Sequence, residues 1–201
     1  MDTKMTTMPR ITIQSGIPFN SPDPDSFLVS ANDPAERVMT DFLEVVPVTI
    51  EPGINIDIAV NKMRTAGVRL LLVTDDNDYI SGVITSYDIQ GELPIKYSQE
   101  HGINRDRITV EMLMVPLEKI PAFDYSTVKQ SLVRHVVATF RELERPHALV
   151  VQTDERSKKQ TVRGIFSSAQ ISKLLGRSVY TPLHAGNSLA DIQHEMQHPT
   201  I

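Results

Sequence analysis

The sequence predicts an α/β module made of two β-α-β-β-α repeats packed sheet to sheet as one pseudo-symmetric body. Three observations carry that reading. A pattern of apolar runs and turns occurs twice in the same order. Each copy holds one stretch of helical periodicity, and each such stretch leads into a short, continuously apolar run of strand length. A unit of roughly 55 to 65 residues is marginal as an independent core, so the two copies are expected to bury their sheets against each other.

Residues 1–35 contain PFNSPDPDSFLVSANDPA and read as an irregular N-terminal arm. Its apolar patches, Ile11-Thr12-Ile13 and Phe27-Leu28-Val29, are the parts able to dock. The first repeat is expected over 36–92. Ile56, Ala59, Val60 and Met63 recur at helical spacing, RLLLV suits a strand covered on both sides, and YISGVITSYDIQG supplies a second strand and the start of a helix. The acidic run Asp75-Asp76-Asn77-Asp78 between the strands lacks the ligand spacing of a calcium loop and reads as a hairpin turn. Residues 93–107 read as a polar linker. The second repeat is expected over 108–176, with its helix on Leu132, Val133, Val136, Val137 and Phe140, then HALVV, the hairpin TDERSKKQT and VRGIFSSAQISKLLG. The landmarks pair Met39 with Met114, Arg69 with His147, Val73 with Val151, Gly82 with Gly164, Thr85 with Ser167, and Ile89 with Ile171. Met39, Met63 and Met114 fall at packing positions. Residues 177–201 form a tail.

Composition narrows the chemistry. The 201 residues include no cysteine, which removes disulfides, thiolate zinc sites and thiol nucleophiles together. Twenty basic against 25 acidic residues give a formal charge of −5 without a Lys/Arg cluster, so nucleic acid is not an expected partner. No apolar run reaches the roughly 18 residues of a membrane span, nor does the N-terminus hold a signal-peptide core. A cytoplasmic protein without membrane contact is the expectation.

The repeated order VMT, the A-x-x-x-M helix (Ala59, Met63), GVRLLLVTD and Gly82-Val83-Ile84-Thr85-Ser86-Tyr87-Asp88-Ile89, echoed by HALVV and Gly164-Ile165-Phe166-Ser167, resembles tandem cystathionine-β-synthase (CBS) domains, the stand-alone Bateman module. The resemblance covers about residues 36 to 176. It implies a cleft between the paired domains that holds an adenine nucleotide or related adenosyl ligand of the AMP, ADP and ATP class. Carried over residue by residue, it implies that Asp88 binds ribose hydroxyls with Thr85 beside it. Arg69 and His147 are then the basic residues at the start of the central strands that reach phosphate, and Thr40, Val45, Val46 and Pro47 flank adenine. It also implies a homodimer, and the exposed apolar face of two small units agrees with that. The signal would pass to an effector protein whose identity the sequence does not reveal.

The same residues have a plainer use. Thr85-x-x-Asp88 is also a capping box that satisfies the first N–H groups of a helix. Ser167-x-x-Gln170 preserves a plausible cap and loses the carboxylate, and an amide offers one uncharged acceptor where a carboxylate can take two ribose hydroxyls. One favoured site, at Asp88, is therefore expected per chain. Arg69 is equally suited to a solvated or ion-paired role.

Near the C-terminus, His194-Glu195-Met196-Gln197-His198 matches the H-E-x-x-H pattern of zinc hydrolases. No third ligand follows it. Ser188 with Asp191 can instead cap a short amphipathic helix, with Leu189, Ile192 and Met196 on one stripe and Pro199 at its end. With the nucleophile elbow, the P-loop and G-x-G-x-x-G all absent, no catalytic residue, no catalytic cofactor and no metal is expected. A non-catalytic regulatory nucleotide-binding module is the leading reading. A ligand-free dimerisation or scaffold unit is the alternative, and a zinc hydrolase through His194, Glu195 and His198 the remote one.

Overall fold

The computed structural model describes residues 8, 10–13, 15–21, 28–143 and 145–179. The predicted tail helix, with His194, Glu195 and His198, lies outside them, as does Phe27.

Two four-stranded sheets form the centre. The first has the order β2 (Thr49–Ile50), β3 (Leu70–Thr74), β4 (Ile80–Thr85), β5 (Val115–Pro116); the second has the order β1 (Met39–Asp41), β8 (Gln160–Ser167), β7 (His147–Thr153), β6 (Ala122–Asp124). Helices α1 (Ile56–Ala66) and α2 (Ser86–Gln90) serve the first sheet, with α3 (Leu93–His101) and α4 (Val110–Leu113) beside them. Helices α5 (Tyr125–Lys129), α6 (Val133–Glu142) and α7 (Ser168–Leu175) serve the second.

The strand pleat sorts the core into layers. Leu71, Val73 and Ile84 face the helices with Ile56, Ala59, Met63 and Ile89, while Ala148, Val150 and Phe166 do the same with Val133, Val137, Phe140 and Ile171. The alternate residues Leu72, Val83, Leu149 and Ile165, with Ile120, meet between the sheets. Each such side chain gains roughly 1.5–3 kcal/mol by leaving water. The sheet-to-sheet body expected from the repeats is thus the observed one.

The opening strands are exchanged between repeats. β1 pairs antiparallel with β8 of the second repeat, and β5 pairs antiparallel with β4 of the first. Gly82 and Gly164 make room for them. A Cβ on Gly82 would stand 2.5 Å from the Val115 carbonyl oxygen and 3.1 Å from Met114 Sδ; one on Gly164 would stand 2.5 Å from the Thr40 carbonyl oxygen and 3.2 Å from Met39 Sδ. The glycine of each motif therefore lies against the opening Met-x pair of the other repeat.

The paired landmarks need one correction. Thr85 lies opposite Leu70, and Ser167 lies opposite His147. The counterpart of His147 is therefore Leu70, and that of Arg69 is Pro146. Two backbone bonds agree: Ser86 N–H donates to the Arg69 carbonyl and Ser168 N–H to the Pro146 carbonyl, each at 2.9 Å. Likewise Val73, opposite Gly82, corresponds to Val150, opposite Gly164. Both ladders carry a register shift near the turn, and aligning the apolar runs by their far ends carries that shift into the comparison.

Two further segments differ from a simple arm and linker. Residues 93–107 contain the nine-residue helix α3, with Pro94 buried in its first turn and Tyr97 packed on the first core. At the other end, Val29 is buried, its N–H donates to the Leu174 carbonyl at 2.8 Å, and Ala35 N–H donates to the Ser131 carbonyl at 3.0 Å. Ile11 and Ile13 stand exposed. The acidic run forms the expected turn, in which Asp75 Oδ1 accepts from the N–H groups of Asn77 and Tyr79, each at 2.9 Å.

Candidate ligand site

The strongest polar constellation lies where β4 ends and α2 begins. Thr85 is the N-cap of α2, in extended conformation, and its Oγ1 accepts from Asp88 N–H at 3.3 Å. Asp88 Oδ2 in return accepts from Thr85 N–H at 2.8 Å and from Thr85 Oγ1–H at 2.6 Å. The capping box predicted from spacing is complete. It occupies one carboxylate oxygen; among the described residues, no hydrogen bond reaches Oδ1.

Burial raises the Asp88 pKa above the usual carboxylate value, against the Thr85 hydrogen bonds and the positive field of Arg145, which lower it. A cap on the surface would carry no such desolvation. A partly buried carboxylate with an unspent oxygen is the arrangement expected of a binding group.

The pleat decides which other residues share this face. Thr85 lies on the face of Val83, and His147 lies on the face of Leu149, so both border the layer between the sheets. Burial lowers the His147 pKa to about 4. At physiological pH its ring is neutral and supplies hydrogen bonding without charge. Thr40 pairs with Ile165 and lies on the same inter-sheet face of β1. The chain then leaves the second sheet and returns to the first, where the Val48 carbonyl accepts from Leu72 N–H at 3.0 Å. Val45 and Val46, which are exposed, and Pro47, half-buried, belong to this crossing.

Arg69 falls on the other face. One residue before Leu70, it shares the helix-side orientation of Leu71 and Val73 and lines an open groove of about 390 Å³ with Val60, Arg64, Tyr87 and Gln90. The structure brings Thr85 and Asp88 together and puts His147 and Thr40 on the inter-sheet face, but separates Arg69 from them. A shift of one residue in register turns a side chain to the opposite face.

In the second repeat, Ser167 precedes α7 without a side-chain cap bond, and Gln170 is exposed. The capping role expected of this pair is not realised. The register gives the rest of the comparison. Gln170 stands for Asp88, Val68 for Arg145 and Leu70 for His147, so this end of the module lacks the carboxylate, the cation and the imidazole of the other.

Sequence reasoning passed over Arg145 and the Asp41–Arg163 pair. Arg145 follows α6, two residues before His147, and its field reaches Asp88 in the other repeat. A pairing based on the glycines, with Gly82 on Gly164, would have drawn attention to the residues just ahead of β7. Arg163 binds Asp41 through two bonds, Nε to Oδ1 at 2.8 Å and Nη2 to Oδ2 at 2.7 Å. Tyr125 stacks on the guanidinium at 4.5 Å and donates to Glu36 Oε1 at 2.8 Å. This network fastens the exchanged strand β1 to its host sheet. The partners lie far apart in sequence, so no local pattern announces it.

Among the described residues, no helix is long and apolar enough to cross a membrane, and no group of three or more His, Asp or Glu is placed to hold a metal ion.

Comparison with known proteins follows the same line as the topology. Residues 22–94 match the CBS domain family model. No curated protein matches the chain. Among solved structures, an uncharacterized conserved protein from Pyrococcus horikoshii is 21% identical with a TM-score of 0.51, over 76% of this chain and 99% of that one. At that identity the likeness is one of fold. A CBS-pair protein from Arabidopsis thaliana is 18% identical with a TM-score of 0.45, over 72% and 94%. A conserved CBS domain protein of unknown function from Thermoplasma acidophilum is 19% identical with a TM-score of 0.46, over 79% and 75%.

Proposed function

We propose that the chain, whose residues 22–94 match the CBS domain family model, is a non-catalytic regulatory module of the CBS-domain type that binds one adenine nucleotide, of the AMP, ADP and ATP class, beside Asp88. The observation that supports this reading is the free Oδ1 of a carboxylate held in place by its own capping box. Its orientation is prepared before any ligand arrives, so little ordering cost remains for binding two ribose hydroxyls. Thr85 acts by holding the carboxylate, and Thr40 and Val45 to Pro47 flank the base.

The second repeat, with Gln170 in place of the carboxylate, contributes no equal site. Binding regulates only to the extent that the ligand prefers one arrangement of the two repeats. The exchanged strands make a common body for that response, since each sheet contains a strand of the other repeat.

Output passes through another protein, and the module acts as a homodimer in the cytoplasm. The helical face of the first repeat supports the dimer. Ile58 on α1, Tyr87 on α2 and Ile95 on α3 are exposed by 56%, 68% and 60%, whereas α5, α6 and α7, which cover the second sheet, expose no large apolar side chain among the described residues.

Calorimetric titration with adenosine, AMP, ADP, ATP and S-adenosylmethionine tests the ligand, and light scattering on the wild type and Tyr87→Glu tests the dimer. Saturable binding lost in Asp88→Ala supports the proposal. Equal binding by that variant would put the ligand elsewhere than beside Asp88, and no binding by the wild type favours the ligand-free scaffold reading.

A further inference from the structure

Resting on the reading of the protein as a homodimer, we infer that α3 of one copy docks in the groove between α1 and α2 of a second copy, and the reverse, so that the two modules meet head to head through their first repeats.

The groove lies on the outer, helical side of the first sheet. It is open, holds about 390 Å³, and has Val60, Met63 and Val68 as its apolar lining. Among the described residues that line it, only Arg64 and Arg69 carry charge. Arg64 donates to Asn61 Oδ1 at 3.1 Å, and the Arg69 side chain forms no hydrogen bond or ion pair among the described residues. On a chain of net charge −5 this is a locally positive recess. The complementary element is α3. It belongs to the segment whose sequence reads as a polar linker, yet it is a nine-residue helix packed on the first core through Pro94 and Tyr97. Its other side is open, with Ile95, Gln99 and Glu100 exposed. Lys96 is committed to Glu92 by an ion pair at 2.8 Å, which leaves Glu100 without an ion pair among the described residues. An apolar side chain accompanied by a carboxylate matches an apolar recess bounded by two guanidinium groups.

The rest of the outer surface selects the orientation. α2 packs against both α1 and α3, so α3 stands beside the groove of its own chain, and a twofold axis near α2 carries the α3 of a second copy over it. Such an axis pairs each patch with itself and buries the exposed Ile58 and Tyr87 in the same contact. The opposite arrangement, first repeat against second, would set Arg64 and Arg69 against α5, α6 and α7. The exposed charges there are Lys129, Arg134, Arg141 and Lys173 with Glu142 as the one acid, and no large apolar side chain is exposed to cover Ile58. Like charges brought together at an interface are costly. Tyr87 in the contact and Asp88 at the ligand site are successive residues of α2, which places assembly and ligand on one five-residue helix.

The chain has no cysteine, so introduced cysteines report contacts without background. Light scattering on the full chain gives its mass. Two mixtures of single variants are then oxidised and run on a non-reducing gel: Ile95→Cys with Gln90→Cys, which lines the groove, and Gln90→Cys with Ala138→Cys on α6. The expected result is a dimeric wild type, a disulfide-linked heterodimer in the first mixture and none in the second. A charge exchange checks the same contact by dilution. Glu100→Arg should weaken the dimer about tenfold, since the twofold axis counts each contact twice, and adding Arg64→Glu and Arg69→Glu to it should recover most of the loss. A monomeric wild type overturns the dimer reading and this inference with it. A dimer that fails to link the first mixture, links the second, or is unmoved by Glu100→Arg leaves the dimer reading standing and overturns the docking of α3.

Discussion

The Val115 carbonyl oxygen lies 2.5 Å from the point that a Cβ on Gly82 would occupy. Val115 opens β5 of the second repeat and Gly82 sits in the first, so this contact, matched by the Cβ point of Gly164 at 2.5 Å from the Thr40 carbonyl oxygen, marks the strand exchange. Gly82→Ala and Gly164→Ala should each destabilise the protein by about 1–3 kcal/mol, because the methyl group must push an exchanged strand off its ladder. Urea unfolding measures this. A variant as stable as the wild type would mean that β5 or β1 does not pair where the register puts it.

Asp88 supports binding against stability. A carboxyl whose folded pKa is raised contributes stability that is fully present below its unfolded value and is lost as pH rises through the folded one. At neutral pH the charged form is therefore a burden on the fold. Asp88→Asn, which keeps an acceptor oxygen for Thr85, should be as stable as the wild type or more so at pH 7, with its advantage fading as pH falls below the carboxylate range. It should bind no nucleotide. Thermal melts of both proteins between pH 3 and pH 7 check the sign, and a variant clearly less stable at pH 7 would show that Asp88 serves the cap alone.

His147 has the opposite dependence. Its folded pKa of about 4 lies below the ordinary histidine value of 6.5, so the unfolded chain binds the extra proton first as pH falls. Stability is lost from about pH 6.5 down towards pH 4, with a slope approaching ~1.4 kcal/mol per pH unit in that window. His147→Leu places in β7 the side chain that Leu70 holds in β3, and should remove this slope. Identical pH profiles for the two proteins would show that the ring is hydrated.

The Asp41–Arg163 pair should show its role in a double-mutant cycle. Hydrogen bonds to charged groups are worth roughly 1.5–3 kcal/mol, and two link these side chains. The single variants Asp41→Asn and Arg163→Gln are each expected to be destabilised, and the double variant to lose less than the sum of the two. The Arg163 bonds hold the Asp41 carboxyl below the usual carboxylate pKa, so its contribution is present above the unfolded value and lost as pH falls through the folded one. Additive losses would place β1 on its sheet through backbone bonds alone.

Much of this architecture is legible in the sequence. Helical spacing at Ile56, Ala59 and Met63 and at Val133, Val136, Val137 and Phe140 identified the buried helix faces, and the apolar runs identified β3 and β7. Local patterns fail where partners are remote. The exchange of β1 and β5, the Asp41–Arg163 lock and the field of Arg145 on Asp88 all join segments from different repeats. α3 was hidden because its polar composition masks the packing of Pro94 and Tyr97. Arg69 shows a subtler limit. A continuous apolar run looks the same when offset by one residue, whereas a pleated strand converts that offset into the opposite face. The capping box was visible at Thr85 and Asp88, but its counterpart at Ser167 and Gln170 looked sound and does not form.

The most direct test of one nucleotide site beside Asp88 is the stoichiometry of AMP binding by calorimetry on the full chain. The account predicts one saturable site per chain, abolished by Asp88→Ala and unaffected by Gln170→Ala. Two equal sites per chain, or one that survives Asp88→Ala, would contradict it.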